Sequence, residues 1–218
     1  MRPFLFVFLL VPALQVYAQE AIAVSKEPLH KKVFENEYLR VLDVHIAPGD
    51  TTQFHKHETP SVFISLHPVR TGSQVIIEDG SATVLSLDRK ITFEGFYKSP
   101  RIHRVWNADT SVFHVMDIEV LTKGDKNIGA PIGVEGFKQI FDALPVRTYR
   151  VTLKGNQVLK FERDAPILIV GLNDAGKVTV NKKPFTKQGD FLFVQPSGKI
   201  ELVNNEEQEY SFAVLELK

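Results

Sequence analysis

Three histidines have residue types and spacing that could do chemistry. His55 and His57 are separated by one residue in the segment TQFHKH, and His103 lies in the segment RIHRVWN. Side chains at positions i and i+2 of a strand project from one face, so the imidazoles of His55 and His57 are expected to point to the same side. Neutral imidazole nitrogen binds iron, copper, nickel and zinc. If closure of a β-barrel brings His103 against the pair, the three rings could hold one metal ion.

The remaining histidines also lie in the first half of the chain, and the sequence contains no cysteine. Thiolate metal sites, disulfides and thiol nucleophiles are therefore excluded, and any metal must use nitrogen or oxygen ligands. His30, His45 and His67 are expected to be structural or surface residues, because a single histidine on a strand usually is. His114 either faces the cavity or is a hydrogen-bonded core histidine.

Four other residues lie near the three histidines in the sequence. Gln53 has the same strand parity as the pair and could orient a ligand from behind. Tyr97, Arg101 and Trp106 are close to His103. The sequence assigns no role to these three.

The elements that must position these residues are short β-strands. From Tyr38 onward, β-branched and aromatic runs such as YLRVLDVHIA, SVFISL and SVFHVMDIEV alternate with turn residues, and the pattern resumes after Pro145 with YRVTL, PILIVGL and YSFAVLEL. This pattern predicts an all-β fold in which each half is a sandwich or a small barrel. Between them, Phe137, Ile140, Phe141 and Leu144 have the spacing of one short amphipathic helix. We therefore expect a first domain over 19–124, a connector with a short helix over 125–145, and a second domain over 146–218.

The two halves also align with each other at nearly constant offsets. One alignment places Gly49 and Pro60 on Gly155 and Pro166, and a second places His103 and Asn107 on Glu201 and Asn205. Two blocks in the same order favour an internal duplication. The positions that match His55 and His57 are Phe161 and Arg163, so the second half keeps the turns without the imidazoles.

The first residues have the pattern of a secretory signal peptide. An apolar run, FLFVFLLVPAL, follows Arg2 and is followed by Val16-Tyr17-Ala18, a small-residue cleavage pattern. The run is shorter than the ~20 apolar residues of a membrane span, so cleavage after Ala18 and a secreted or periplasmic mature chain are expected, with a membrane anchor as the alternative. Lysine plus arginine and aspartate plus glutamate both number 26, so charge indicates neither nucleic acid nor an anionic membrane as a partner.

At these motifs the chain resembles the cupin superfamily. The segment from Gly49 to His57 fits the first cupin motif, a glycine, five residues and HxH, and the segment from His103 to Asn107 fits the end of the second motif. The first motif continues to a glutamate, where this chain has Ser61 or Val62. Glu58 is a poor substitute, because strand alternation turns it away from the face of His57.

The resemblance implies a bicupin, an all-β fold of two tandem cupin-like jelly-roll barrels, with one metal centre in which His55, His57 and His103 hold the metal. Fe(II) is the expected ion, with Mn, Ni, Cu or Zn as alternatives. Three histidines leave coordination positions open for a small anionic organic molecule and dioxygen, which favours a mononuclear non-heme dioxygenase. The alternative is a non-enzymatic cupin that binds a small ligand or serves as an assembly module, with a structural metal. Cupins often pair through sheet edges, so the resemblance also allows for a homodimer.

Overall fold

The computed structural model describes residues 21–76, 83–86 and 91–218. The predicted signal segment lies outside the described residues. Within them the fold is nearly all β, with one 3-10 turn at Val24–Lys26 and no α-helix. No helix in the described part of the chain is long and apolar enough to cross a membrane. The prediction of an all-β fold is confirmed.

The first unit contains ten strands in two five-stranded sheets. One sheet has the order β1-β4-β9-β6-β7 and the other has the order β2-β3-β10-β5-β8. The strands are β1 Ile22–Ala23, β2 His30–Glu35, β3 Leu39–Ile46, β4 His55–His57, β5 Ser61–His67, β6 Arg70–Val75, β7 Thr83–Ser86, β8 Ile91–Glu94, β9 Arg101–Asn107 and β10 Phe113–Val120.

The second unit repeats this strand order with nine strands. Its sheets have the orders β11-β12-β19-β14-β17 and β13-β18-β15-β16, so every strand from β2 to β10 has a counterpart. The strands are β11 Phe137–Asp142, β12 Val146–Leu153, β13 Gln157–Arg163, β14 Ile167–Gly171, β15 Val178–Val180, β16 Lys183–Pro184, β17 Phe191–Val194, β18 Gly198–Asn204 and β19 Tyr210–Leu217.

An arginine with two carboxylate partners occurs at the same place in both units. Arg40 contacts Glu35 at 2.9 Å and Glu119 at 2.6 Å. In the second unit Arg147 contacts Asp142 at 2.8 Å and Glu216 at 3.3 Å. In the strand register, each arginine lies directly opposite its two carboxylate partners on the neighbouring strands. Equivalent side chains on equivalent strands indicate an internal repeat at the level of single residues.

The two units pack sheet against sheet around a shared apolar layer. This layer joins residues of β3, β5 and β10, such as Val41, Ile64 and Ile118, to residues of β14 and β19, such as Leu168 and Leu215. These side chains are almost fully buried, and each contributes about 1.5–3 kcal/mol relative to an exposed position. The layer covers the outer face of the first unit, and the opposite faces of β3, β5 and β10 line its interior.

The predicted helical connector is wrong, because Phe137–Asp142 is strand β11 at the edge of the second unit. The register between β11 and β12 shifts between Gln139 and Phe141, which marks a β-bulge at Ile140. Phe137 therefore packs inside the second unit and Phe141 packs in the layer between the units, while Ile140 is exposed. The bulge changes the side-chain alternation, so a strand imitates the helical spacing.

Candidate metal centre

The structure brings the three predicted histidines together inside the first unit. β4 and β9 are antiparallel neighbours, and their register places His55 directly opposite His103. The ring centroids of His55, His57 and His103 are 4.6–5.1 Å apart. The side chains are buried, with exposed fractions of 0%, 2% and 9%. A pair set by strand alternation and a third ring supplied by strand pairing thus converge on one point.

The ring nitrogens are arranged so that the Nε2 atoms face each other. The Nε2 atoms of His57 and His103 are 3.1 Å apart, and one ligand atom from each of the three residues lies within 4.8 Å of the others. Among the described residues, the buried Nε2 of His55 has no hydrogen-bond partner. A buried polar atom without a partner is costly, so a group that binds it would stabilise the site.

The opposite nitrogen of each ring has a neighbour of its own. The Nδ1 atom of His55 donates to the backbone oxygen of Gln53 at 2.9 Å, and that of His103 is 3.1 Å from the Ser73 hydroxyl. The Nδ1 atom of His57 lies 3.5 Å from a carboxylate oxygen of Asp117. The carbonyl at Nδ1 of His55 fixes the tautomer that presents its Nε2 as a lone pair, as is typical of metal-ligating histidines. Ser73 and Asp117 lie behind the other two rings and do not by themselves determine which nitrogen carries the proton.

This donor set fits a divalent transition metal. Metal–nitrogen distances of about 2.0–2.1 Å and angles between about 90° and 109° place two ligand nitrogens roughly 3.0–3.4 Å apart. The 3.1 Å separation of the His57 and His103 Nε2 atoms falls in this range. Three neutral nitrogen ligands suit iron, nickel, copper or zinc better than magnesium or calcium.

Burial keeps the three imidazoles neutral. It lowers the pKa of His55 to about 4, and the charge of His30 acts in the same direction. Burial and the neighbouring His55 lower the pKa of His103 to about 2. The pKa of His57 is also strongly lowered, by burial and by His103. At neutral pH the site therefore offers lone pairs without first having to lose protons.

Asp117 is the carboxylate that approaches the histidines from behind. It is 1% exposed, and burial raises its pKa to about 8, with the charge of Glu119 acting in the same direction. In the described residues neither of its oxygens has a hydrogen-bond partner in standard geometry. Without a metal, Asp117 is thus mostly a neutral acid at pH 7.

These pKa values predict that the metal-free protein is most stable near pH 6.5. Below that pH the three histidines bind protons in the unfolded chain but not in the folded site, so the free energy of unfolding falls. Above that pH Asp117 is ionised in the unfolded chain but keeps its proton in the folded protein to about pH 8, so the free energy of unfolding falls again. The net loss between pH 6.5 and 5.5 should be about 2 kcal/mol, since three histidines lose ~1 kcal/mol each and Asp117 offsets about one of them. Urea unfolding in the presence of a chelator measures this curve.

The matched control replaces His103 with isoleucine, the residue at the equivalent position of the second unit. His103→Ile should reduce the net loss between pH 6.5 and 5.5 by about half, to about 1 kcal/mol, because one of the three histidines no longer contributes its ~1 kcal/mol. A stability that does not change between pH 5.5 and 6.5 would contradict the buried, neutral state of these rings.

His30 also lies at the site, although the sequence analysis treated it as a structural or surface residue. Its ring centroid is 4.7 Å from that of His55, and it lines the same cavity. Its Nδ1 atom donates to Glu27 at 2.7 Å, and the other oxygen of Glu27 accepts the backbone N–H of Gln53 at 3.2 Å. Glu27 therefore links His30 to the segment that orients His55. The spacing Glu27-x-x-His30 is the only sequence signal of this pair.

Glu58 points outward as its strand position requires, whereas Gln53 does not point inward with His55 and His57. The side chain of Gln53 is exposed, and Gln53 orients His55 through its backbone oxygen instead. Glu58 points outward, where it pairs with Lys56 at 2.9 Å. Ser61 and Val62, at the position of the motif glutamate, are both buried and supply no carboxylate.

The residues near His103 separate into one that lines the cavity and two that do not. Arg101 is opposite His57 in the β4–β9 register and lines the cavity. Trp106 packs on Gly72, where a Cβ would lie 2.0 Å from the indole, and it is not among the lining residues. Tyr97 is 61% exposed. β10 presents Phe113, Val115 and Asp117 to the cavity, and His114 lies on its opposite face.

The histidines form one end of a cavity of about 210 Å³. This volume is smaller than the roughly 300–1,000 Å³ of sites for drug-sized ligands, so the cavity fits a small molecule. Its polar lining includes Thr92, Glu94 and Arg101, and Glu94 is the cross-strand neighbour of Ser61. Its apolar wall consists of Val44, Ile46, Phe63, Phe96, Val105, Phe113 and Val115.

Strand register shows that the second unit has an apolar core at the same place. His55 pairs with His103 as Phe161 pairs with Ile200, so the counterpart of His103 is Ile200 and the predicted alignment with Glu201 is wrong by one residue. Glu201 points outward to Lys160.

The turn asparagine confirms the corrected alignment. The Asn107 amide donates to the backbone oxygens of Ile46 and Ser111, and the Asn204 amide makes the equivalent bonds to Leu153 and Gln208. The counterpart of Asn107 is thus Asn204 and not Asn205. The asparagine is kept in both units because it ties a turn, whereas the imidazoles are present in the first unit only.

The fold of this chain is similar to that of several solved structures. YhhW from Escherichia coli is similar over 87% of this chain and 89% of its own, with a TM-score of 0.60 and 13% identity. A cupin 2 conserved barrel domain protein from Leptotrichia buccalis is similar over 86% and 87%, with a TM-score of 0.54 and 11% identity. Salicylate 1,2-dioxygenase from Pseudoaminobacter salicylatoxidans, in a structure with gentisate adducts, is similar over 84% of this chain and 70% of its own, with a TM-score of 0.56 and 12% identity.

No protein-family model matches the sequence, and no curated protein matches it. The structural likenesses show the fold: this chain has the cupin fold, with a three-histidine group that could bind a metal.

Proposed function

We propose that this protein is an exported bicupin that binds one transition metal in its first unit through His55, His57 and His103. The observation that carries the proposal is the convergence of three buried imidazoles, in which one ring nitrogen of each lies within 4.8 Å of the others and the Nε2 atom of His55 has no hydrogen-bond partner among the described residues. Buried polar atoms left without partners are costly, and a bound metal would compensate for that cost.

The expected reaction is dioxygenation of a small anionic organic molecule, with Fe(II) as the metal. When bound, the metal supplies Lewis acidity and activation of dioxygen. The three neutral imidazoles bring no negative charge to the metal, and Arg101 adds a positive charge to the same cavity, so the site stays net positive even with Glu94 and Asp117 ionised. An anionic ligand with a small apolar body therefore complements the cavity. Among the structural neighbours, salicylate dioxygenase has gentisate adducts, and gentisate has this chemistry.

The mature chain, residues 19–218, loaded with Fe(II) under anaerobic conditions, tests this function. Oxygen uptake should occur with at least one member of a panel of hydroxybenzoates, catechols, flavonols, diketones and thiols. Arg101→Gln should raise KM for that substrate by about tenfold or more with a smaller change in kcat, because a lost charge-assisted contact costs about 1.5–3 kcal/mol.

The matched control is Arg104→Gln on the same strand. Arg104 stacks on Phe54 and donates to Gln74 outside the cavity, so its loss should leave KM unchanged. Equal effects of the two substitutions would remove Arg101 from substrate binding.

The second candidate function is a non-enzymatic cupin that binds a small ligand. The observation that favours it is the absence of a carboxylate at Ser61 and Val62, where the cupin motif has glutamate. Stoichiometric metal without oxygen uptake on any member of the panel would support this function. Export is tested separately by N-terminal sequencing of the secreted or periplasmic protein, which should begin at Gln19.

A further inference from the structure

A second group of metal-ligand side chains lies at the seam between the two units. β3 and β10 pair His45 with His114, and Asp43 is two residues before His45 on the same strand. The two imidazole rings stack with centroids 4.0 Å apart and an interplanar angle of 22°. One ligand atom from each of Asp43, His45 and His114 lies within 4.8 Å of the others.

This seam cluster is separate from the candidate metal centre. Residues of even number on β3 and odd number on β10 line the interior of the first unit, as Val44 and Val115 do. The seam cluster has the opposite parity and faces the second unit.

The second unit closes the seam cluster with two loops: the β14–β15 loop contributes Asp174 to the same pocket, and the β16–β17 loop contributes Lys187, Gln188 and Gly189. Gly189 has φ +85°, and a Cβ there would lie 3.4 Å from the His114 ring, so glycine permits this close approach.

We propose that the seam cluster is a binding site for a divalent transition cation such as Zn²⁺, held by His45, His114 and Asp43. Two imidazoles and a carboxylate are a donor set that zinc, nickel and copper accept. Asp174 of the second unit lines the same pocket, so its negative charge favours a bound cation at the seam.

Two contacts at the seam cluster set the expected affinity. The Nε2 atom of His114 and Asp43 are hydrogen-bonded at 2.7 Å, and a metal must replace this bond. Lys187 carries a positive charge that acts on both Asp43 and His45. The seam cluster should therefore bind metal more weakly than the three-histidine centre. The variant Lys187→Gln, which removes a positive charge, should bind metal at the seam cluster more tightly than the parent.

Equilibrium dialysis with Zn²⁺ tests the site in the His103→Ala background, which isolates it from the three-histidine centre. That variant should bind one equivalent, and adding either His45→Ala or Asp43→Asn should weaken binding at least tenfold. His45 has a side chain 52% exposed, so its removal should leave the fold intact. Asp174→Asn should weaken binding and Lys187→Gln should strengthen it.

The matched control is His67→Ala, because His67 is exposed and pairs with His114 without belonging to the seam cluster. It should bind Zn²⁺ as its parent does. The proposal is overturned if His103→Ala binds no zinc, or if His45→Ala and His67→Ala have equal effects. Both readings are independent of whether the three-histidine centre binds metal.

Discussion

His103→Ala should lower the affinity of the candidate metal centre at least 100-fold. The substitution removes one of three converging nitrogens, whereas loss of a residue that only orients a ligand already costs about 10–100-fold. The measurement is metal titration in the His45→Ala background, so that the seam cluster does not contribute. Circular dichroism should remain nearly unchanged, because the apolar layer between the units and the core of the second unit do not include His103.

The stabilisation of the protein by metal should disappear in the same variant. A ligand at 100 times its Kd stabilises the folded state by ~2.7 kcal/mol, so in the His45→Ala background the melting temperature should rise on metal addition, and with His103→Ala added to that background it should not. The control is again His67→Ala, which should keep the parent's response. A His103→Ala variant that binds one equivalent with the parent's affinity would contradict the assignment of this residue.

The convergence of the three histidines can be predicted from the sequence because two simple rules determine it. Strand alternation puts His55 and His57 on one face, and the pairing of β4 with β9 places His103 opposite His55. The prediction that three distant rings converge is confirmed by the structure.

The missed residues depend on long-range packing that periodicity does not encode. Asp117 reaches His57 from β10, a strand that belongs to the other sheet of the unit, and nothing in its local sequence differs from an ordinary strand. His30 enters the cavity from β2, where the register places it opposite the cavity residue Val44, and the strand pattern predicted from Tyr38 onward does not include β2. The helix prediction at β11 fails because the bulge at Ile140 changes the side-chain alternation.

Comparison of the two units gives a physical account of what the site requires. The counterparts of His30, His55 and His103 are Phe137, Phe161 and Ile200, and the contact between the first two rings is preserved as an edge-to-face phenylalanine pair with centroids 5.1 Å apart. The counterpart of His57 is Arg163, which turns to the buried Glu216 at 2.5 Å. The fold is thus stable with an apolar interior, and the polar interior of the first unit lowers stability unless a ligand compensates for it.

Asp117→Asn should weaken metal binding about 10–100-fold, because it removes the carboxylate behind His57. The 3.5 Å separation of Nδ1 and the carboxylate is longer than an ordinary hydrogen bond, and the acid is mostly protonated at neutral pH in the metal-free protein. Positive charge at the Nε2 side of His57 favours the ionised form of Asp117. Metal binding by the parent should therefore release close to one proton near pH 7, and binding by the variant should release almost none.

Calorimetric titration in buffers of different ionisation enthalpy counts these protons. The same substitution should stabilise the metal-free protein above pH 8, on the order of 4 kcal/mol, since an amide need not be ionised in an interior that raises the carboxyl pKa to about 8. Ser73→Ala, which removes the partner of His103 without a charge, is the control: it should weaken metal binding but leave proton release at the parent's value. If Asp117→Asn and the parent release the same number of protons, the carboxylate behind His57 takes no part in metal binding, and the positive charge of the site is balanced by the bound anion alone.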